Sequence, residues 1–311
     1  MKIINNFYEV FRKYLLFAQK QQKKQSFYTL EYNFNERILP FFKDYCLEDI
    51  TKETIISWED YILSFNFSNN YNKSLYYFLS SFFTFCHKYY GFDKSIISDV
   101  GCFRKKYEVK KVDFYTSNEF FKFIKYVDDP VYRTFFSFMF FTGTRPGEAM
   151  ALKFSDINGF YVSINKTISS HGSREIGTPK TFSSNRSIKI DKFLFKDILK
   201  LKKYYDERFG YSEDLYVFGG IKPLSPTTIN RRKIDACNKA NLRPITLHQF
   251  RHSHATMLVS NGIMINEVSR RLGHSKVSTT LDIYTHSDLS QEKRVVSTLS
   301  SIRLLKKIFH F

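Results

Sequence analysis

The sequence predicts a mainly α-helical protein of two domains, with a small antiparallel β-sheet in the C-terminal domain. Three observations lead to this fold class. Apolar residues recur at helical spacing over most of the chain, two short runs between residues 161 and 190 alternate as strands do, and a basic segment near residue 105 interrupts the helical pattern. A chain of 311 residues also suits two domains of ordinary size.

The N-terminal domain, predicted over residues 1–104, carries aromatic side chains at the spacing of packed helices. Phe78, Phe82 and Phe85 follow one another at i, i+4 and i+7. Such a stripe could stack on nucleic-acid bases, but side chains at this spacing usually lie in a protein core. The single tryptophan, Trp58, is interpreted in the same way. We therefore expect a helical domain with an aromatic core.

The segment over residues 105–115 is predicted to link the two domains. It loses helical periodicity, gains Lys and Arg, and ends just before Thr116-x-x-Glu119, a capping box that begins a new helix. A C-terminal domain is predicted over residues 116–289. Its predicted elements are helices over 116–152, strands over 161–167 and 186–190, and helices over 191–205, 225–240, 246–261 and 264–272.

The chain is strongly basic, with 48 Lys and Arg against 30 Asp and Glu and a formal charge of +18. A field of this sign and size favours a polyanionic partner, and nucleic acid is the best fit. A ribosomal or membrane-surface protein would share the charge but would not need the residue spacings described below. The basic linker is accordingly either solvated or follows a DNA backbone.

Cysteine usage and hydropathy predict a cytoplasmic protein with no membrane partner. Cys46, Cys86, Cys102 and Cys237 form neither a Cys-x-x-Cys pair nor a dense disulfide framework, so we expect them to be buried and reduced. Charged residues interrupt the N-terminal segment, which excludes a signal peptide. The longest apolar stretch, residues 135–141, is too short to span a membrane.

Two segments of the second domain place cationic side chains at turns. In TGTRPGEAMAL, Gly143 ends one helix and Pro146 begins the next, which leaves Arg145 at the turn between them. The alternative is a helix-cap arginine that pairs with Glu148. In TPKTFSSNRSIKI, Lys180 lies in a turn that leads to a strand, and a lone turn lysine is normally only solvated.

A third segment, LHQFRHSHAT, puts His248 and Arg251 at i and i+3 on one helical face, so both can converge on one ligand. His252 and His254 admit a zinc site as an alternative. Gln249 stands where a His-Glu-x-x-His motif needs its Glu, and no carboxylate cluster is nearby, so the spacing predicts no metal.

The fourth segment, LGHSKVSTTLDIYTH, places His274 just after a helix that ends at Gly273, with Tyr284 ten positions further on. Polar neighbours predict that Tyr284 is exposed. By itself this tyrosine would be interpreted as a half-buried surface aromatic. The functional interpretation of Tyr284 therefore depends on the presence of the three other segments.

Together the four segments resemble the boxes of the tyrosine recombinase, or phage integrase, family, in the same order over about residues 116–286. The TG-x-R-x-GE, PKT, H-x-x-RH and LGH…Y motifs are weak singly and specific in combination. The resemblance implies a site-specific recombinase that cleaves and rejoins DNA through a 3′-phosphotyrosine without ATP, metal or cofactor. It implies catalytic residues at Arg145, Lys180, His248, Arg251, His274 and the nucleophile Tyr284, with Glu148 in support.

The chemistry of a phosphodiester explains why these residue types are needed. Arg145 and Arg251 would hold the non-bridging oxygens on which charge develops. Tyrosine has a pKa of about 10, so it needs a proton acceptor, for which His248 is the candidate. In the family's scheme Lys180 would protonate the leaving 5′-oxygen and His274 would donate a hydrogen bond to the phosphate.

The resemblance also implies partners. A SAM-like core-binding domain and the catalytic domain would clamp double-stranded DNA, and a tetramer would hold two sites, with accessory proteins that bend DNA or set direction. Residues 290–311 are predicted to form a C-terminal helix that packs on its own domain or on a neighbouring protomer. Because the core-binding-like helix starts almost at Met1, we expect a simple Xer-like or stand-alone integrase without an arm-site-binding domain.

Two alternatives share the fold. A type IB-like topoisomerase would use the same chemistry but would rejoin the same strand. A non-catalytic DNA-binding protein would need none of the catalytic positions, and their presence argues against it.

Overall fold

The computed structural model describes residues 5–103, 113–168, 176–177 and 185–278. The chain divides into two compact units, Met1–Val109 and Lys110–Phe311. The predicted C-terminal helix over 290–311 and most of the predicted linker over 105–115 lie outside the described residues. No helix in the described ranges is both long enough and apolar enough to cross a membrane.

The described part of the first unit is helical. Its helices are α1 (Phe7–Gln21), α2 (Lys24–Asn33), α3 (Leu39–Phe42), α4 (Lys52–Ser64), α5 (Asn69–Tyr90) and α6 (Ser95–Val100), with a π-helical turn at Phe34–Ile38 and a 3-10 turn at Leu47–Asp49. Side chains of Asn6, Thr51 and Ser68 cap the first turns of α1, α4 and α5. These caps satisfy backbone N–H groups that lack a partner within the helix.

Aromatic rings fill the core of this unit, as the sequence predicted. Phe82 and Phe85 are buried, Phe78 packs half-buried against them, and Trp58 has no exposed surface. The Phe82 ring lies 4.6 Å from that of Phe7 and is tilted against it, an arrangement favoured by aromatic quadrupoles. The interpretation of these aromatic side chains as core residues is confirmed.

The cysteine prediction is wrong in part. Cys86 and Cys237 are buried, but Cys46 and Cys102 are only half-buried, and all four are free. Cys46 directly precedes the 3-10 turn at Leu47–Asp49 and Cys102 follows the end of α6. Short connections of this kind run along a protein surface, which leaves both thiols partly accessible.

The second unit combines helices with short strands. In its described residues the helices are α7 (Ser117–Ile124), α8 (Pro130–Thr142), α9 (Pro146–Ala151), α10 (Lys192–Phe209), α11 (Pro226–Lys239), α12 (Leu247–Ser260) and α13 (Ile265–Leu272), and a 3-10 turn spans Phe154–Asp156. Its strands are β1 (Ile157–Asn158), β2 (Tyr161–Ile164), β3 (Thr167–Ile168), β4 (Ile176–Gly177) and β5 (Arg186–Lys189). The predicted fold class is confirmed.

The strands pair antiparallel, in the order β1-β2-β5, while β3 pairs with β4. Val162 faces Ile188 across the β2–β5 pair, and both are buried. Tyr161 and Lys189, on the alternate positions, are exposed. This alternation fixes the register, because a slip of one residue would expose the apolar side chains.

Helix α8 is the central element of the second unit. Its buried side chains cover all of the helix surface except one stripe through Arg133, Ser137 and Phe141, whereas a surface helix buries only one stripe. The helix packs against α10 and α12. Consequently the C-terminal end of α8 lies inside the unit, and the segment after it, which contains Arg145, starts from a fixed position.

Candidate active site

Arg145 lies at the turn that the sequence predicted. Helix α8 ends at Thr142 and is followed by Gly143, which has a φ of 67°, and α9 begins at Pro146. A Cβ atom on Gly143 would lie 2.6 Å from side-chain carbons of both His254 and Leu272. Glycine is therefore required twice, for the left-handed conformation and for the close approach of α8 to α12 and α13. This contact fixes the backbone that carries Arg145.

Glu148, on α9, is the buried anion of the site and is 2% exposed. It accepts hydrogen bonds from the Arg145 backbone N–H and Nη1, at 2.9 and 2.8 Å, and from Arg186 Nη2 at 2.9 Å. Burial raises the pKa of this carboxyl, but Arg186 and Arg145 together hold it below its usual range. The cap pairing of Arg145 with Glu148 thus exists, while the Arg145 side chain stays 36% exposed.

Arg251 lies on α12, and its buried side chain contacts the C-terminal ends of α8 and α13. The residue is 2% exposed, and its Nη1 and Nη2 donate to the carbonyls of Gly143 at 2.9 Å and Leu272 at 2.8 Å. These carbonyls end α8 and α13, where carbonyls lack partners within the helix and a cation is favoured. Burial and the charge of Arg145 lower the pKa of Arg251 to about 9, so the guanidinium remains charged at neutral pH.

Two imidazoles lie beside these cations. His248 occupies α12 one turn before Arg251, with its ring 5.0 Å from that of His252, and His274 follows the left-handed end of α13. The pKa values of His248 and His274 are lowered to about 4, mainly because both rings are buried and also because the charges of Arg251 and Arg145 disfavour protonation. Both rings are therefore neutral at neutral pH, the form in which an imidazole accepts a proton.

The structure thus brings four of the predicted site residues together, since the charges of Arg145 and Arg251 act on both histidines. Glu148 holds Arg145 by accepting hydrogen bonds from its backbone N–H and its side chain. Lys180 and Tyr284 lie outside the described residues.

Sequence reasoning missed two arginines that extend this cluster, and it considered His254 only as a metal ligand. Arg186, at the start of β5, binds Glu148. Arg271 donates from Nε to His254 Nε2 at 3.2 Å and from its Nη atoms to the carbonyls of Lys189 and Phe141. His254 Nδ1 lies 2.8 Å from the Phe140 carbonyl, and because a carbonyl only accepts, Nδ1 carries the proton.

A signal for Arg186 was present in the sequence. Side chains at i, i+2 and i+4 of a strand share one face. Arg186 is in phase with Ile188 and Ile190, both buried, so the strand pattern places a charged side chain on the core face. Such a charge is retained only when it is paired. The pattern therefore predicts a buried ion pair, although it does not name the partner.

The zinc alternative for His252 and His254 does not fit the observed geometry. Both ring nitrogens of His254 are occupied, one by the Phe140 carbonyl and one by Arg271. Within the described ranges, no three His, Cys, Asp or Glu side chains are grouped so as to hold a metal ion.

The buried neutral His254 predicts that the second unit loses stability in acid. His254 is 1% exposed, and burial and Arg271 lower its pKa from 6.5 to about 3. As the pH falls below 6.5 the unfolded chain binds a proton that the folded chain refuses, so stability is lost progressively down to about pH 3. Between pH 6.5 and 5 we expect a loss of about 1.6 kcal/mol from this group, because the unfolded histidine is already half-protonated at pH 6.5 and the slope rises to about 1.36 kcal/mol per pH unit below it.

Urea denaturation of the full chain at both pH values measures this loss by circular dichroism. Fluorescence of Trp58 reports the first unit, which lacks His254, and supplies an internal reference. In His254→Asn, whose amide can keep the bond to Phe140, the difference between the two pH values should shrink by that amount. An unchanged difference would contradict the assignment.

Comparison with known proteins finds matching family profiles and relatives along most of the chain. The sequence profile of the phage integrase family matches residues 113–291, and that of the phage integrase N-terminal SAM-like domain matches residues 6–63. The ICEBs1 integrase of Bacillus subtilis (strain 168) is 30% identical over 304 residues, which cover 93% of this chain and 81% of that protein.

Solved structures show the same fold. The Tn1549 transposon integrase in complex with transposon right end DNA has a TM-score of 0.75 at 15% identity, covering 95% of this chain and 99% of that one. A lambda integrase tetramer bound to a Holliday junction has a TM-score of 0.71 at 18% identity, covering 91% of this chain and 78% of that one. At these identities the likeness concerns the fold alone.

Proposed function

Because the chain belongs to the phage integrase family of site-specific tyrosine recombinases, which break and rejoin DNA, we propose that Arg145 and Arg251 bind the scissile phosphate and that Tyr284 attacks it. One observation carries this assignment. Two guanidiniums from distant parts of the sequence act on two neutral imidazoles, and the buried carboxylate of Glu148 acts on both guanidiniums. A net positive cluster of this kind is costly to assemble unless it binds an anion.

The two arginines would act in different ways. Arg251 has five N–H donors, of which two bind helix-end carbonyls, so donors remain for a phosphate oxygen. Arg145, which is partly exposed, would approach the phosphate from the open side. Donors that are fixed before the reaction stabilise the charge that develops on the non-bridging oxygens.

Bond formation and proton transfer would be divided among the remaining residues. The Tyr284 oxygen forms a bond to phosphorus while the bond to the 5′-oxygen breaks. His248, neutral at neutral pH, accepts the phenol proton, and Lys180 supplies a proton to the departing 5′-oxygen. His274 donates a hydrogen bond to the phosphate. The phosphotyrosine bond replaces the broken phosphodiester, so a 5′-hydroxyl can reverse the step without ATP.

We propose the domain roles and assembly on the same basis. Residues 1–104 would be the core-binding domain, 116–289 the catalytic domain and 290–311 a C-terminal helix, with 105–115 between the domains. A tetramer on two duplexes is supported by the lambda integrase tetramer bound to a Holliday junction. A role in the movement of a mobile element is supported by the likeness to a transposon integrase. Accessory proteins would set the direction.

Covalent trapping tests the proposal. Duplexes that tile the DNA flanking the gene, each with a nick near a candidate cleavage position, are incubated with the wild-type chain in chelator and without ATP. We expect a denaturant-resistant protein–DNA adduct at one site, with the protein on the 3′-phosphate and a free 5′-hydroxyl. The nick lets the short cleaved fragment diffuse away, so rejoining cannot hide the adduct.

The same site then separates the alternatives. Exchange between two copies of the site on separate plasmids supports recombination. Relaxation of supercoiled DNA without exchange favours the topoisomerase. Specific binding without any adduct favours the DNA-binding protein and contradicts the proposal.

A further inference from the structure

Arg186 joins two parts of the site that each carry catalytic candidates. Its side chain is 8% exposed. Its Nη2 and Nη1 lie 2.9 and 3.3 Å from the two carboxylate oxygens of Glu148, and its Nε donates to the Arg271 carbonyl at 2.8 Å. One planar guanidinium therefore connects β5 with the first turn of α9 and with the last turn of α13.

The first connection bears on Arg145. Glu148 Oε1 accepts from both Arg145 Nη1 and Arg186 Nη1, so the two arginines share one carboxylate. If Arg186 were absent, each carboxylate oxygen would lose one donor, although Oε2 would keep the Arg145 backbone N–H. A bidentate pair could then form and draw the Arg145 guanidinium toward Glu148. With the carboxylate shared, Arg145 bonds to Oε1 through Nη1 while its side chain stays 36% exposed.

The second connection bears on the end of α13. The Arg271 carbonyl that Arg186 binds is followed by the Leu272 carbonyl, which accepts from Arg251, and then by Gly273 and His274. Arg186 therefore holds the helix end at which Arg251 is anchored and from which His274 projects.

We propose that Arg186 is a positioning residue for DNA cleavage, which orients Arg145 through Glu148 and fixes the end of α13 through the Arg271 carbonyl. This inference rests on the proposed function of Arg145. Arg186 itself touches neither DNA nor the reacting atoms in this scheme, so its loss slows the chemical step and leaves DNA binding intact.

Single-turnover cleavage of the nicked site with excess full-length protein tests the proposal. Arg186→Met removes the charge, and Arg186→Lys keeps it but replaces the planar fork by one ammonium, which cannot hold both carboxylate oxygens and the carbonyl. We expect cleavage about 10- to 100-fold slower for both, the range seen when residues that orient metal ligands are removed. Affinity for the site should not change.

Lys189→Met is the matched control, because it removes one positive charge from the same strand at an exposed position. It should cleave at the wild-type rate. Urea denaturation gives the folded fraction, and rates are compared per folded molecule. If Arg186→Met does not fold, Arg186→Lys decides.

A pH profile separates positioning from a purely structural role. Glu148 is faced by Arg145, which directly precedes α9, by Arg186 on β5, and by Arg251 and His248 on α12. With Arg186 removed, the carboxyl should protonate at higher pH, so the acid side of the cleavage profile should move to higher pH. In a Glu148→Gln background that movement should vanish, and Arg186→Met should cost less than in the wild type.

The outcomes are distinguishable. If the wild type forms no adduct, the proposed function fails. If the wild type forms an adduct but a folded Arg186 variant cleaves as fast as Lys189→Met, only the positioning role is overturned. The same conclusion follows if Arg186→Met slows cleavage by the same factor in the Glu148→Gln background as in the wild type.

Discussion

Tyr284→Phe should abolish the covalent adduct while leaving the affinity for the DNA site unchanged. The substitution removes one oxygen atom, which is the proposed nucleophile, and keeps the ring. No other group in the proposed mechanism can form the bond to phosphorus, so the expected loss is complete rather than partial. Adduct formation on the nicked site is the measurement, with the dissociation constant determined in parallel.

Tyr161→Phe is the matched control for this loss. Tyr161 lies in the same unit on the exposed face of β2, 53% exposed, and its hydroxyl has no proposed role. It should form adduct at the wild-type rate. An adduct formed by Tyr284→Phe would assign the nucleophile to another residue and would refute the mechanism.

Local chemistry explains how much of the site the sequence could predict. The turn at Arg145 is set by residues next to it, because Gly143 adopts a left-handed conformation and Pro146 fits the first turn of a helix. The relation of His248 to Arg251 needs only the helical period. The capping box at Thr116 and Glu119 is likewise local, and it forms as predicted.

The rest of the cluster depends on contacts between distant segments. Arg251 binds carbonyls at the ends of α8 and α13, and Arg186 binds Glu148 across 38 positions. No periodicity in one segment can name a partner in another. The strand pattern could have shown that Arg186 is buried, but the identity of Glu148 as its partner requires the fold.

A similar limit applies to the histidines. From the sequence alone His248 and His274 are groups with an ordinary pKa of about 6.5. Their lowered pKa values arise because folding removes water and places Arg145 and Arg251 beside them. An imidazole with the ordinary pKa is already mostly neutral at pH 7, and tertiary structure extends the neutral form that the proposed base requires down to about pH 4. His254, which the sequence offered as a metal ligand, instead supports the backbone of α8.

Arg251→Lys should slow cleavage by about 100- to 1,000-fold, the range for loss of a donor that stabilises developing oxyanion charge. The Arg251 guanidinium holds the ends of α8 and α13 and in the proposal also binds the phosphate, whereas a lysine has one ammonium for all three. At a position only 2% exposed an ammonium also loses its proton more easily than a guanidinium does. Adduct formation in single turnover measures the rate. The affinity for DNA should still fall steeply with salt, because other Lys and Arg would contact phosphates.

Loss of folding is the competing explanation for such a result, because Arg251 anchors two helix ends. Arg145→Lys separates the two explanations. Its side chain is 36% exposed and pairs with Glu148 three residues along the chain, so this variant should keep the stability of the wild type and yet lose cleavage on a similar scale. Arg270→Lys, on the exposed side of α13, should change neither quantity. If Arg145→Lys and Arg251→Lys both cleave at the rate of Arg270→Lys, the two guanidiniums do not bind the reacting phosphate.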